Sequence, residues 1–366
     1  MNRALCFSIG LIISVYSTAA WSQERNAGDF GRPEANAQMG EPLTAQDEEI
    51  LARPPRRSPV ISADELRKFR AAPPRLDASG MGIVSHSSTG ETTELPASDT
   101  VTEALKRENE RDLPRPRTDR MRTPKPESDD VEPVEQDTRA NRYIFWPDER
   151  VRISNTTRYP FSTIVYVSTG CSGTVIGRYH VLTAAHCVYD ETNGRWYKNI
   201  AVYPGRNGQD APFGKFRASR EFVPSGYVNT EGDHYSSEHM QYDIAVIEFD
   251  EPIGSTTGWL SYGYNNGMPD FVANIVGYPG DKPGTMWRAS CDIDPTYTEP
   301  RRFDHYCDTP GGYSGSGVYD YEKSTDDRMI YGVEIAEWQT AIDEKFNISF
   351  RITETWFDWV WDIKHN

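Results

Sequence analysis

A histidine, an aspartate and a serine, each at the edge of a short apolar or glycine-rich run, are the side chains of this sequence most able to do chemistry together. They lie in Thr183-Ala184-Ala185-His186-Cys187, Tyr242-Asp243-Ile244-Ala245-Val246 and Gly311-Gly312-Tyr313-Ser314-Gly315-Ser316-Gly317. A serine hydroxyl attacks a carbonyl carbon poorly until an imidazole takes its proton. The imidazole in turn needs a carboxylate to hold its tautomer and stabilise its cation. Most lone histidines are structural, but His186 ends an apolar run beside a cysteine and has matching partners downstream. Asp243 stands at the mouth of an apolar run, where an unpaired charge is costly; His186 is its natural partner, and a loop cap is the alternative. The glycines around Ser314 allow a tight turn, and the N–H groups of Gly312 and Ser314 would hold an oxyanion. Ser316, two residues past Ser314, is assigned to structure. The chemistry of such a set is acyl transfer through a serine ester.

These residues need a rigid frame. From Tyr143 onward, β-branched and aromatic runs such as Thr163 to Val167, Ile244 to Phe249, Val272 to Val276 and Met329 to Ile335 alternate with Gly, Pro, Asn and Asp. Many short strands at that spacing predict an all-β, antiparallel sandwich or barrel. A terminal helix is predicted to open near Thr353, with Trp356, Phe357, Val360 and Ile363 as its apolar stripe.

The N-terminal part reads differently. Residues 1–22 carry Arg3, an apolar run from Ala4 to Val15 and small residues to Ala20, the pattern of a signal peptide too short to span a membrane. Residues 23–142 hold thirteen of the chain's 25 prolines, no Trp or Tyr, and only Phe30 and Phe69 as aromatics. Such a segment, standing alone, buries too little apolar area to offset its ordering entropy, and only Ala63 to Ala71 looks helical. It is read as a mostly disordered pro-segment, with a plain linker as the alternative. The expected domains are therefore 1–22, 23–142 and 143–366.

Past residue 22 four cysteines remain, Cys171, Cys187, Cys291 and Cys307, and an even number in an exported chain favours two disulfides. Three connectivities are open; Cys171–Cys187 and Cys291–Cys307 are favoured because each pair flanks a catalytic segment at short range. Free thiols are the alternative, and no zinc-type spacing occurs. The formal net charge of −16 argues against a nucleic-acid partner. Asp233, His234 and His239 fall in a polar loop and are expected to be solvated rather than to hold a metal.

Cys171-Ser172-Gly173-Thr174 followed by the His186 segment resembles the chymotrypsin-fold serine peptidases, whose chain order is also His, Asp, Ser. The closer resemblance is to bacterial glutamyl endopeptidases of the V8-like group, particularly the Bacillus type. It is carried by Asp148 to Thr157, Tyr203 to Gly208, Phe222 to Tyr227, Glu251 to Gly254 and Gly277 to Lys282. The resemblance implies two packed six-stranded β-barrels with the active site between them. It also implies a zymogen cut between Arg142 and Tyr143, with Arg139 as the alternative site.

The sequence departs from that group where specificity is set. Its members take Glu before the scissile bond, using a histidine on the strand after the serine loop; Glu334 stands there instead. Tyr313 replaces the usual Asn or Gln and Gly317 the usual Pro. With Asp308 and Thr309 expected nearby, Glu334 points to Arg or Lys as the preferred residue, unless strand alternation turns it away. The expectation is a secreted (extracellular, or periplasmic in a Gram-negative host) monomeric serine endopeptidase. Its partners would be polypeptide substrates and its own pro-segment, with no cofactor, no metal, no nucleic acid, and no membrane once the signal is removed. A non-catalytic homologue binding proteins through the cleft, and an esterase using the same triad, are the rivals.

Overall fold

The apolar runs read from the sequence form strands in a computed structural model, which describes residues 25–26, 30–52, 75–111, 144–145, 147–231, 236–267, 270–294, 300–339 and 345–365. One antiparallel sheet runs in the order Phe216–Arg217, Ala201–Pro204, Ile164–Val167, Cys171–Val175, His180–Thr183, Ala245–Glu248, Arg220–Pro224, Ile83–Ser87 and Thr92–Leu95. Its inner strands are apolar on both faces: all four residues of Ile164–Val167 are buried, as are Ala245, Val246 and Ile247. The second sheet is built from Ser261–Tyr264, Asp327–Gln339, Gly317–Glu322, Phe271–Gly277 and Met286–Ile293, with Arg302–His305 and Lys345–Arg351 joined through Asp327–Gln339. The result is mostly β, two half-barrel sheets of trypsin-like form with few helices.

Among the described residues each sheet has nine strands, against the six expected per barrel. Ile83–Ser87 and Thr92–Leu95 extend the first sheet beyond Arg220–Pro224, and Arg25–Asn26 and Val151–Ile153 lie at the ends of the second. Among the described strands one pairing is parallel, Ser261 against Met329 and Tyr262 against Ile330. No described helix is long and apolar enough to cross a membrane.

The terminal helix is Glu354–His365, and its expected stripe of Trp356, Phe357, Val360 and Ile363 is buried, together with Trp359. Composition predicts no order for residues 75–111 standing alone, yet in the whole chain they form two strands and the helix Asp99–Glu110. Their few apolar side chains, among them Met81, Val84, Val101 and Leu105, complete a core supplied by the rest of the molecule. The helix starts where Ser98 Oγ accepts the Val101 N–H at 3.2 Å, satisfying one otherwise free donor. The signal peptide, the expected helix over Ala63 to Ala71 and the Arg142–Tyr143 junction lie outside the described residues.

Cys171 is bonded to Cys187 and Cys291 to Cys307, each across a sequence separation of 16. Closing a loop of that length stabilises by about 3 kcal/mol. Replacing both Cys291 and Cys307 by Ala should therefore lower unfolding free energy by about that amount, measured by denaturant titration under oxidising conditions.

Candidate active site

Register brings His186 to Asp243. The antiparallel pairing of Thr183 with Ala245 sets the chain leaving one strand opposite the chain entering the other. His186 sits in the turn Ala185–Cys187, 5% exposed, and Asp243 is fully buried. The carboxylate takes two bonds from the same residue: Oδ1 accepts the His186 backbone N–H at 3.0 Å, and Oδ2 accepts from ring Nδ1 at 2.8 Å. A proton held on Nδ1 leaves Nε2 as the basic nitrogen.

The serine loop is tied to both sheets. Ser172 of the first sheet donates its N–H to the Ser314 carbonyl at 2.8 Å and its hydroxyl to the Gly312 carbonyl at 2.8 Å. From the second, Gly280 N–H donates to the Gly311 carbonyl at 2.7 Å, and Gly315 N–H to the Glu334 carbonyl at 2.7 Å. Gly312 has φ +102°, and a Cβ there would lie 2.5 Å from the Tyr278 carbonyl oxygen, so only glycine fits. Among the described residues the N–H groups of Gly312 and Ser314 donate to no protein acceptor. Because the Gly311 carbonyl is held by Gly280, the Gly312 N–H across the same trans peptide points the other way. Cys187 Sγ lies 3.7 Å from the Ser314 carbonyl oxygen, which sets the serine beside the residue that follows His186. Ser314 is half-buried, whereas Ser316 is fully buried with its Oγ facing inward.

Thr309, Pro310, Ser314 and residues 334–337 line a pocket beside the serine. Glu334 is 2% exposed and does not turn away from it. Its Oε1 accepts the Thr309 hydroxyl at 2.8 Å; its Oε2 accepts the Ser349 hydroxyl at 2.8 Å and lies 2.8 Å from His305 Nε2. The Cys307 N–H donates to His305 Nδ1 at 3.2 Å, which puts the imidazole proton on Nε2, facing Glu334. A neutral histidine bonded this way leaves the carboxylate's charge in place. Glu337 adds a second acidic side chain to the lining.

Sequence reasoning passed over His305 and Ser349. His305 lies in no motif and Ser349 only in the sequon Asn347-Ile348-Ser349, which says nothing of the pocket; they meet Glu334 because Arg302–His305 and Asp327–Gln339 both pair with Lys345–Arg351.

The structure places Asp308 elsewhere than the pocket. Its carboxylate accepts the backbone N–H of Phe145 at 2.6 Å and of Glu149 at 3.1 Å, so it anchors the start of the region after residue 143. Burial pushes this carboxyl up to about 7 in spite of those bonds. An unfolded aspartate titrates near 3.9, so between about pH 4 and pH 7 the folded chain keeps a proton the unfolded chain has lost. Stability therefore falls as pH rises through that window, and Asp308→Asn should shrink the fall. Thermal melts of both proteins near pH 4 and near pH 8 measure it; an unchanged difference would contradict the argument.

His239 corrects the expectation of a solvated loop. It is fully buried, 5.2 Å between ring centroids from Tyr227, because the short helix Ser237–Met240 folds it inward. Asp233 and His234 lie outside the described residues. The two groups of metal-ligating residue types among the described residues are Cys171, His186 and Cys187, and Cys291, His305 and Cys307. In each, both sulfurs are spent in a disulfide.

The family described as Trypsin matches residues 150–286, a span that holds His186 and Asp243 and stops before Ser314. The glutamyl endopeptidase of Bacillus licheniformis is 39% identical over 186 residues, covering 50% of this chain and 56% of that protein. A Bacillus subtilis protein described as an extracellular metalloprotease is 31% identical over 227 residues, covering 59% of this chain and 67% of that protein. The chain thus spans about half to two thirds of these relatives' own lengths. A solved structure of Glu endopeptidase in complex with MPD matches with a TM-score of 0.52 at 30% identity, over 59% of this chain and 97% of that one. The chain belongs to the trypsin-fold, chymotrypsin-like serine peptidases.

Proposed function

We propose that this chain is a secreted serine endopeptidase, made as a zymogen and cut between Arg142 and Tyr143. Residues 1–22 act as its signal peptide, 23–142 as its pro-segment and 143–366 as its peptidase domain. The observation that carries the reading is the doubly bonded His186–Asp243 pair beside a serine loop with two unused N–H donors. Ser314 Oγ attacks the scissile carbonyl carbon as His186 Nε2 takes its proton. The C=O pair moves onto oxygen, held by the Gly312 and Ser314 N–H groups. The C–N bond then breaks, His186 protonates the leaving amine, and water hydrolyses the acyl-enzyme by the same path. Each oxyanion donor contributes about 3–4 kcal/mol in such a step. No cofactor is needed, and a monomer suffices.

The pocket supports Arg or Lys before the scissile bond, since Glu334 with neutral His305 leaves a net negative charge there. Such an enzyme could make the Arg142 cut itself. Profiling the processed enzyme on peptides randomised at that residue tests this. Cleavage after Arg or Lys is expected, and cleavage after Glu would overturn the specificity reading while leaving the triad intact.

A further inference from the structure

We propose that the N-terminal segment, residues 30–111, is not released when the chain is cut but stays bound as a permanent second chain of the mature enzyme. This rests on the proposed cut for its setting. The contacts that carry it are already made in the uncut chain.

First, the segment supplies counter-charges to cations buried in the body. The Lys215 side chain is 0% exposed. Among the described residues its carboxylate partners are Asp47, which bonds it directly, and Glu41 at 3.8 Å, both from the segment. Asp47 also accepts the Tyr203 hydroxyl at 2.8 Å. Burial alone would raise the Asp47 carboxyl, but the bonds from Lys215, Thr44 and Tyr203 outweigh it and hold the group below the usual range. Arg301, also buried, pairs with Glu108 at 3.0 Å, and the same carboxylate accepts the hydroxyls of Thr353 and Thr355 at 2.7 Å each. Removing the segment would take away both carboxylates that Lys215 is paired with.

Second, the segment completes a sheet. Ile83–Ser87 pairs with Arg220–Pro224 at five positions, so its loss would bare the edge of the first sheet. Third, Leu51, Leu76, Met81, Val84, Val101 and Leu105 belong to the same apolar core as the barrel strands. A body that sheds its segment would be expected to pair its own cations; here the carboxylates on Lys215 come from the segment.

The test places a recognition site for a sequence-specific protease within residues 112–143, in full-length Ser314→Ala protein so that no self-cleavage intervenes. After complete cutting, both pieces should elute as one species in native size-exclusion chromatography and part only in denaturant. Separation under native conditions, with residues 143–366 eluting alone and keeping near-ultraviolet dichroism, would overturn the proposal. Asp47→Asn in the cut protein should speed loss of the segment at least about tenfold on dilution, and adding Lys215→Met should restore part of the retention. An Asp47→Asn complex that holds as long as the unmutated one would also overturn it. Because no readout uses peptide hydrolysis, failure here is separable from failure of the proposed activity.

Discussion

Alanine at Ser314 should lower kcat on a good peptide substrate by on the order of 10⁶-fold, and alanine at His186 by a similar factor. The two act on one proton transfer, so the double variant should be no worse than either single one. Asp243→Asn should cost about 10⁴-fold, because an amide can no longer accept both His186 N–H groups and the imidazole loses its tautomer. A residual rate about 10³-fold above water should survive in all of them, supplied by the free Gly312 and Ser314 donors. Steady-state kinetics on a chromogenic peptide, with matched thermal melts to show that each variant folds, reads the series. Additive losses, or an Asp243→Asn enzyme near full rate, would break the assignment.

The second large effect is expected at Glu334. A unit charge about 4 Å from a substrate's charged group is worth about 4 kcal/mol at the effective dielectric of a protein surface, or up to about a thousandfold. Peptides with Arg before the scissile bond should therefore be turned over at least about a hundredfold better than those with Glu. Glu334→Gln removes the charge and keeps one acceptor oxygen, for either Thr309 or Ser349. It should cut kcat/KM for Arg peptides by about a hundredfold and narrow the preference over Glu. An unchanged ratio would mean that the pocket's charge does not choose the substrate.

His186, Asp243 and Ser314 are legible in the amino-acid sequence because each sits in a short local motif whose meaning depends on its immediate neighbours. The terminal helix is legible for a related reason: its stripe repeats at helical spacing along one stretch of chain. What the sequence conceals depends on distant pairing. The addition of Ile83–Ser87 to the edge strand Arg220–Pro224 joins residues more than a hundred positions apart. Composition does not reveal that the body offers such an edge. His305 and Ser349 meet Glu334 through the register of three strands, which no local pattern encodes. Asp308 shows the limit of counting back from the serine, since its side chain follows the loop geometry and reaches Phe145 and Glu149 instead of the pocket.

The central claim is an activated serine at position 314. A fluorophosphonate probe applied to the processed protein, followed by peptide mapping, tests it most directly. The account predicts one label per chain, on Ser314, abolished by His186→Ala. No label on the processed, folded protein, or a label on Ser316, would contradict it.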